Sequence, residues 1–271
     1  MTGPIFDTHA HYSSRAFDAD RIALLDSLPD KGVVGVCEQA THSGDAPRVL
    51  ELAHRYPWVV AAIGIHPESL LPAADCGEEG PAPTVSVYGG DWAAEMQALM
   101  PYYDDPKVVA VGECGLDYHW PVPKDAQLAL FEAEIRLALE LDKPIIVHDR
   151  QAHADVYALL KKYRPKGIVH CYSGSAEDAV QLAAQGLYIG FGGACTFNGA
   201  KRAAKAIEAL PLDAIVLETD CPYMAPEPVR GTRCDSSLIR YVGEYIAQLR
   251  GISAEEVFRT TAENARRVFG L

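Results

Sequence analysis

The order of apolar and helical segments predicts an α/β fold, a TIM-like (β/α)8 barrel with its functional groups at the carboxyl ends of the strands. Three observations carry this prediction. Eight short apolar, β-branched runs recur along the chain, segments of helical period lie between them, and side chains that bind divalent cations well follow five of the eight runs. Eight such units in about 250 residues match the size of a (β/α)8 barrel, whose functional groups project from the carboxyl ends of its strands. An open doubly wound sheet would leave the first and eighth strand ends well apart, so a site shared between them argues for closure.

The runs lie at residues 4–6, 33–36, 59–63, 108–111, 144–147, 167–169, 187–191 and 215–217. The clearest helix is predicted over residues 124–141, where Leu128, Phe131, Ile135, Ala138 and Leu139 share one face. Residues 71–90 follow the third run, are rich in Pro, Gly and Ala, and have neither period; they are expected to form an irregular loop or lid. After Asp220 the segment CPYMAPEPVRG excludes a regular helix or a central strand. Two helices are predicted beyond it, over residues 236–250 and 254–269. Ser253 is placed to cap the second, with Glu256 completing a capping box.

The 271 residues show no break in composition, so a single domain over residues 1–271 is expected. With 49% hydrophobic and 23% charged residues the chain can bury a sizeable core. No charged-then-apolar leader precedes the first run and no apolar stretch is long enough to span a bilayer, so the expectation is a cytoplasmic protein with no membrane partner. No obligate protein partner is indicated. The cysteines, Cys37, Cys76, Cys114, Cys171, Cys195, Cys221 and Cys234, are odd in number and lack CxxC spacing, which fits reduced thiols rather than a disulfide framework or a zinc knuckle. With 24 basic and 37 acidic residues the net charge is −13, so any phosphate binding must be local. Bound divalent cations would invert the field of such a cleft.

Six nitrogen and oxygen donors follow the runs: His9, His11, Glu113, His148, His170 and Asp220. Strand alternation puts the imidazoles of His9 and His11 on one side, within reach of one ion. Glu113 ends the fourth run, where a carboxylate costs several kcal/mol to bury unless it is paired or metal-bound. Its two oxygens can bridge a pair of ions, as two-metal hydrolytic sites require. His148 and His170 end adjacent runs and can complete a second shell. Asp220, beyond the eighth run, is suited both to ligation and to proton transfer from an activated water. Cys114, Cys171 and Cys221 directly follow ligand candidates, so on a strand they point the other way and are expected to be packing residues. His66, in GIHPE after the third run, is a candidate for substrate binding or proton donation. Mixed imidazole and carboxylate donors suit Zn2+, Mn2+, Ni2+ or Fe2+ as well as Mg2+.

The segments FDTHAH, GIHPE, GECGLDYH, PIIVHDRQAHAD, VHCYSGS, FGGACTF, LPLDAIVLETDCPYMAP and TTAENARRVFGL span nearly the whole chain. In them the chain resembles the TatD family of metal-dependent deoxyribonucleases, within the amidohydrolase-like barrels. The resemblance implies two divalent ions, one held by His9, His11, Glu113 and Asp220, the other by Glu113, His148 and His170. It also implies hydrolysis of phosphodiesters as a 3′ to 5′ exonuclease on single-stranded DNA ends, with magnesium supporting activity. Catalytic roles then fall to Asp220, Glu113 and His66. Arg150, Arg230 and Arg233 are candidates to grip phosphates as bidentate donors, and Tyr118, Trp120 and Tyr172 to stack bases. One departure concerns the loop after Asp220: where the family continues RGKRNEP, this chain has Arg230, Gly231, Thr232, Arg233, Cys234, Asp235 and Ser236.

Two other functions compete. The same donors would serve hydrolysis of an ester or amide, for example a D-aminoacyl-tRNA, and the net charge of −13 favours a small or end-on substrate. A catalytically silent metal-binding barrel is the remaining alternative.

Overall fold

The computed structural model describes residues 3–71 and 87–271. All but the two ends of the expected loop at residues 71–90, and Cys76 within it, lie outside them. Eight strands, β1 Ile5–Ala10, β2 Val33–Gln39, β3 Val59–Ile63, β4 Val108–Asp117, β5 Ile145–Arg150, β6 Gly167–Val169, β7 Leu187–Phe191 and β8 Ile215–Leu217, form one sheet in that order. Helices α1 Arg21–Ser27, α2 Ala46–Arg55, α3 Trp92–Leu99, α4 Lys124–Glu140, α5 His153–Tyr163, α6 Ala176–Ala184 and α7 Lys201–Ala209 connect successive strands. Helices α8 Ile239–Arg250 and α9 Ala254–Phe269 follow β8. Parallel pairing and strict alternation make this the TIM-like (β/α)8 class. No helix among the described residues is long and apolar enough to cross a membrane.

The chain falls into two compact units, one of Met1–Glu38 with Ile168–Leu271 and one of Gln39–Gly167. In the first unit, β1 meets the end of β8 through a parallel bridge from Ala10 to Cys221. There the His11 amide donates to the Cys221 carbonyl at 3.0 Å and the Asp220 amide to the His9 carbonyl at 2.9 Å. Helix α9 closes this unit: Phe269 packs on Phe6 with ring centroids 5.9 Å apart, and Phe258 lies so near Gly243 of α8 that any side chain there would collide with its ring. Ser253 caps α9 by accepting from the Glu256 amide, as predicted.

In the second unit β3, β4 and β5 approach each other unusually closely. A Cβ on Gly64 would lie 2.7 Å from the Gly112 Cα, and one on Gly112 would lie 2.7 Å from the Ile146 Cβ. Only glycine allows that approach. The register of β4 against β5 shifts between Val111 and Cys114, which is where Glu113 sits.

The predicted runs all become strands, and four extend further than their apolar cores: β1 to Ala10, β2 to Gln39, β4 to Asp117 and β5 to Arg150. Glu113 is therefore inside its strand rather than at its end. The face predicted for α4 is offset. Phe131, Ile135 and Ala138 are buried, together with Gln127, Leu130, Glu134 and Leu137, whereas Leu139 is exposed. Apolar spacing alone could not reveal that two polar side chains turn inward. The helix expected over residues 236–250 starts as a 3-10 turn, Ser236–Leu238, capped by the Asp235 side chain.

Candidate metal centre

Of the six donors, His9, His11, His170 and Asp220 belong to the first unit. His9 lies in β1 with no exposed surface, and His11 follows the strand end. Their Nε2 atoms are 3.2 Å apart, and Asp220 Oδ1 lies 3.2 Å from His11 Nε2 and 3.6 Å from His9 Nε2. His170, directly after β6, stacks on His9 with ring centroids 3.9 Å apart and planes within 9°. Asp220 adopts φ +59, a left-handed conformation that aspartate tolerates better than most residues. Burial pushes its carboxyl upward, but the hydrogen bond from His11 and the imidazoles of His9, His11 and His170 outweigh this and hold it below its ordinary value.

Two buried carboxylates brace this set. Asp7 accepts from the His9 amide, from both the amide and hydroxyl of Thr219, and from the Ser236 hydroxyl, at 2.6–3.1 Å. Burial nevertheless pushes Asp7 up to about 7, those hydrogen bonds opposing. Glu218 lies with one oxygen 3.5 Å from His170 Nδ1 and accepts from the Cys171 amide. A Cβ on Gly190 would come 2.4 Å from its other oxygen, so β7 needs glycine there.

Glu113 and His148 belong to the second unit. His148 is held between two carboxylates, its Nδ1 3.0 Å from Glu113 Oε1 and its Nε2 2.9 Å from Asp117 Oδ2. Asp117 also accepts from the His119 amide, and its own amide donates to Gln127 of α4. Burial raises the Asp117 carboxyl, but the hydrogen bond from His148 wins and leaves it lowered. His66, three residues past β3, meets the edge of His148 at 4.4 Å between centroids, with Nε2 3.6 Å from Glu113 Oε1. Its Nδ1 accepts from the Glu68 amide at 3.2 Å, which in the neutral ring leaves the proton on Nε2. Burial, with the charges of Asp117 and Glu113, pushes Glu68 upward.

Among the described residues, each unit holds a group with the convergence a divalent cation needs. In the first unit one donor atom each from His9, His11 and Asp220 lie within 4.8 Å of one another; in the second unit the same holds separately for His66, Glu113 and His148. Two imidazole nitrogens and a carboxylate oxygen aimed at one point repel unless a proton or a cation lies between them, and their mixture suits borderline divalent metals. The residues fit the group. Cys114 and Cys221 are fully buried with thiols pushed well above their ordinary value by burial, which fits packing. The described cysteines are all free thiols.

The family description TatD related DNase matches residues 6–270. This chain belongs to the TatD-related DNase family. It is 38% identical over 269 residues to the "Uncharacterized metal-dependent hydrolase YabD" of Bacillus subtilis, covering 98% of both chains. It is 30% identical to the "3'-5' ssDNA/RNA exonuclease TatD" of Erwinia tasmaniensis, covering 98% of this chain and 100% of that one. Among solved structures, the TatD homologue YJJV of Escherichia coli K12 superposes with a TM-score of 0.87 at 29% identity over 100% of both chains.

The remaining candidates of this TatD-related chain are placed differently from one another. Arg150 is exposed at the end of β5. Arg233 makes a two-pronged ion pair with Asp20 at 2.8 and 2.6 Å, donates to the Ala16 carbonyl and covers Phe17. Arg230 lies over the Phe197 ring at 4.1 Å. Tyr172 is buried, its hydroxyl donating to the Ser175 carbonyl. Tyr118 donates to Asp155, and Trp120 remains partly exposed. Sequence reasoning did not single out Asp117, Glu218 or Asp7 as partners of the histidines. Their signal was present in the same motifs, in the final Asp of VGECGLD, the Glu of VLETD and the Asp of FDTHAH.

Proposed function

We propose that this chain is a divalent-metal-dependent hydrolase that removes nucleotides from the 3′ end of single-stranded DNA. The convergence of His9, His11 and Asp220 on one point carries the reading. Family membership and the relative named as a 3′-5′ ssDNA/RNA exonuclease support the substrate class.

The proposed ligands are His9, His11, Glu113 and Asp220 for one ion and Glu113, His148 and His170 for a second. Divalent ions there would supply a lowered water pKa and neutralise the charge of a phosphodiester. The chain's own groups do the rest. Asp220, held ionised by its histidines, accepts a proton from the attacking water. His66, with its Nε2 proton fixed by the Glu68 amide, donates toward a substrate or leaving-group oxygen. Asp117 and Glu113 hold the His148 ring in one orientation. Arg150 offers an exposed guanidinium to a phosphate.

Hydrolysis of a D-aminoacyl-tRNA or another ester or amide is the second reading. It is favoured by the net charge of −13 and by the engagement of Arg233 with Asp20, which leave little basic surface for a long polyanion. End-labelled single-stranded DNA and D-aminoacyl-tRNA, assayed side by side with Mg2+ or Mn2+ and with chelator, separate the two. The proposal expects a metal-dependent ladder shortening from the 3′ end, abolished in Asp220→Asn. Intact DNA under all these conditions, with the tRNA ester cleaved, would overturn it.

A further inference from the structure

The turn that carries His11 out of β1 is held by residues the mechanism does not use. Every backbone amide from His11 to Ser14 has a named acceptor. The His11 amide donates to the Cys221 carbonyl and the Ser14 amide to the His11 carbonyl. The Tyr12 and Ser13 amides donate to the two oxygens of one side chain, Glu38, at 2.9 and 2.6 Å. Glu38 is fully buried near the end of β2, opposite Ala10 in the ladder.

The carbonyls of the same turn are held from another direction. Arg21, the first residue of α1, donates through Nε to the Tyr12 carbonyl at 2.5 Å and through one terminal nitrogen to the Ser13 and Ser14 carbonyls at 3.2 and 2.8 Å. Asp18 braces the guanidinium at 2.6 Å. A buried carboxylate on the amides and a guanidinium on three successive carbonyls fix the turn's backbone at both kinds of polar group. Neither charge is suited to a role in packing alone, since burying one is costly unless its partners are aligned.

We propose that Glu38 and Arg21 are positioning residues for His11, setting the affinity of the His9, His11 and Asp220 group for a divalent cation. This rests on the metal-dependent reading above. The chemistry distinguishes close substitutes. Glutamine at position 38 keeps the volume but can accept only through its oxygen, so its NH2 faces one of the two amides and the turn must shift. Lysine at position 21 keeps the charge but cannot hold three carbonyls with a planar fork.

The test is titration of chelator-stripped protein with MnCl2, reading free Mn2+ by electron paramagnetic resonance, on wild type, Glu38→Gln and Arg21→Lys, with melting temperatures alongside. The expected result is Mn2+ binding at least about tenfold weaker in both variants. Turnover of a small phosphodiester should return at saturating Mn2+, a rescue that general loss of structure would not show. Folded variants that bind Mn2+ within about twofold of wild type would overturn the inference, as would lost turnover that Mn2+ does not restore. If Glu38→Gln fails to fold, Arg21→Lys decides alone. Wild type that binds no Mn2+ would instead overturn the metal-dependent reading itself.

Discussion

Glu134 offers a sharp test of how buried polar groups shape the fold around the candidate site. It lies in the middle of α4, 1% exposed, with Oε1 accepting from the Ile65 amide at 2.8 Å and Oε2 facing no hydrogen-bond partner among the described residues. Burial pushes its carboxyl well above the ordinary glutamate value. The native state therefore holds this proton at a pH where the unfolded chain has lost it. Its contribution to stability is fully present below the unfolded value near 4.5 and is lost as pH rises toward the folded one. Glu134→Gln keeps the acceptor for Ile65 and never ionises, so its stability should fall less between pH 5 and pH 8 than that of wild type. Glu134→Leu strands a buried amide, which costs about 1–3 kcal/mol. At about 2–4 °C per kcal/mol for a chain of this size, that places its melting temperature several degrees below the glutamine variant. Melts followed by circular dichroism across that pH range read both effects. Parallel pH profiles for wild type and Glu134→Gln, or equal melting temperatures for the Gln and Leu variants, would refute the reasoning.

Three further outcomes are expected. Dialysis against a chelator should abolish hydrolysis and lower stability, by about 2.7 kcal/mol relative to protein held at a hundredfold excess of cation over its dissociation constant, and Mn2+ should restore both. Asp7→Ala should cost roughly 3–5 kcal/mol in urea denaturation, because the His9 and Thr219 amides and two hydroxyls lose their acceptor. Asp7→Asn should cost less, since the Thr219 and Ser236 hydroxyls can turn to accept from the new NH2. Gly64→Ala should lower the melting temperature, with about 1–3 kcal/mol lost, because the new methyl meets the backbone of Gly112 at 2.7–2.9 Å and no flexible side chain is there to yield.

The fold was legible because a parallel strand covered on both faces must be largely apolar, so β3 (VVAAI), β7 (LYIGF) and β8 (IVL) read directly as apolar runs. The polar continuations of β1, β2, β4 and β5 were not, since DTHA, CEQ, GECGLD and HDR carry no strand-like pattern and extend only because neighbouring strands pair with them. His9, His11 and Asp220 were readable as a group from their placement after apolar runs. Their supports were not, because nothing local distinguishes Glu38, which reaches the turn after His11, from the exposed Glu51 of α2. The same limit applies to the arginines: nothing local to Arg233 shows that it pairs with Asp20, far away in sequence.

The seam between the first and last strands bears on how the chain is made. Asp7 finds its partners 212 and 229 positions later, at Thr219 and Ser236. A ribosome exposes the N-terminal strand long before those residues exist, so through most of translation this segment must wait with a carboxylate it cannot yet bury. Docking of β1 onto β8, and with it the meeting of His9 with Asp220, must wait until the chain has been made through Ser236. Nascent chains lacking the last quarter should therefore hold the second unit's strands without a cation-binding His9, His11 and Asp220 group.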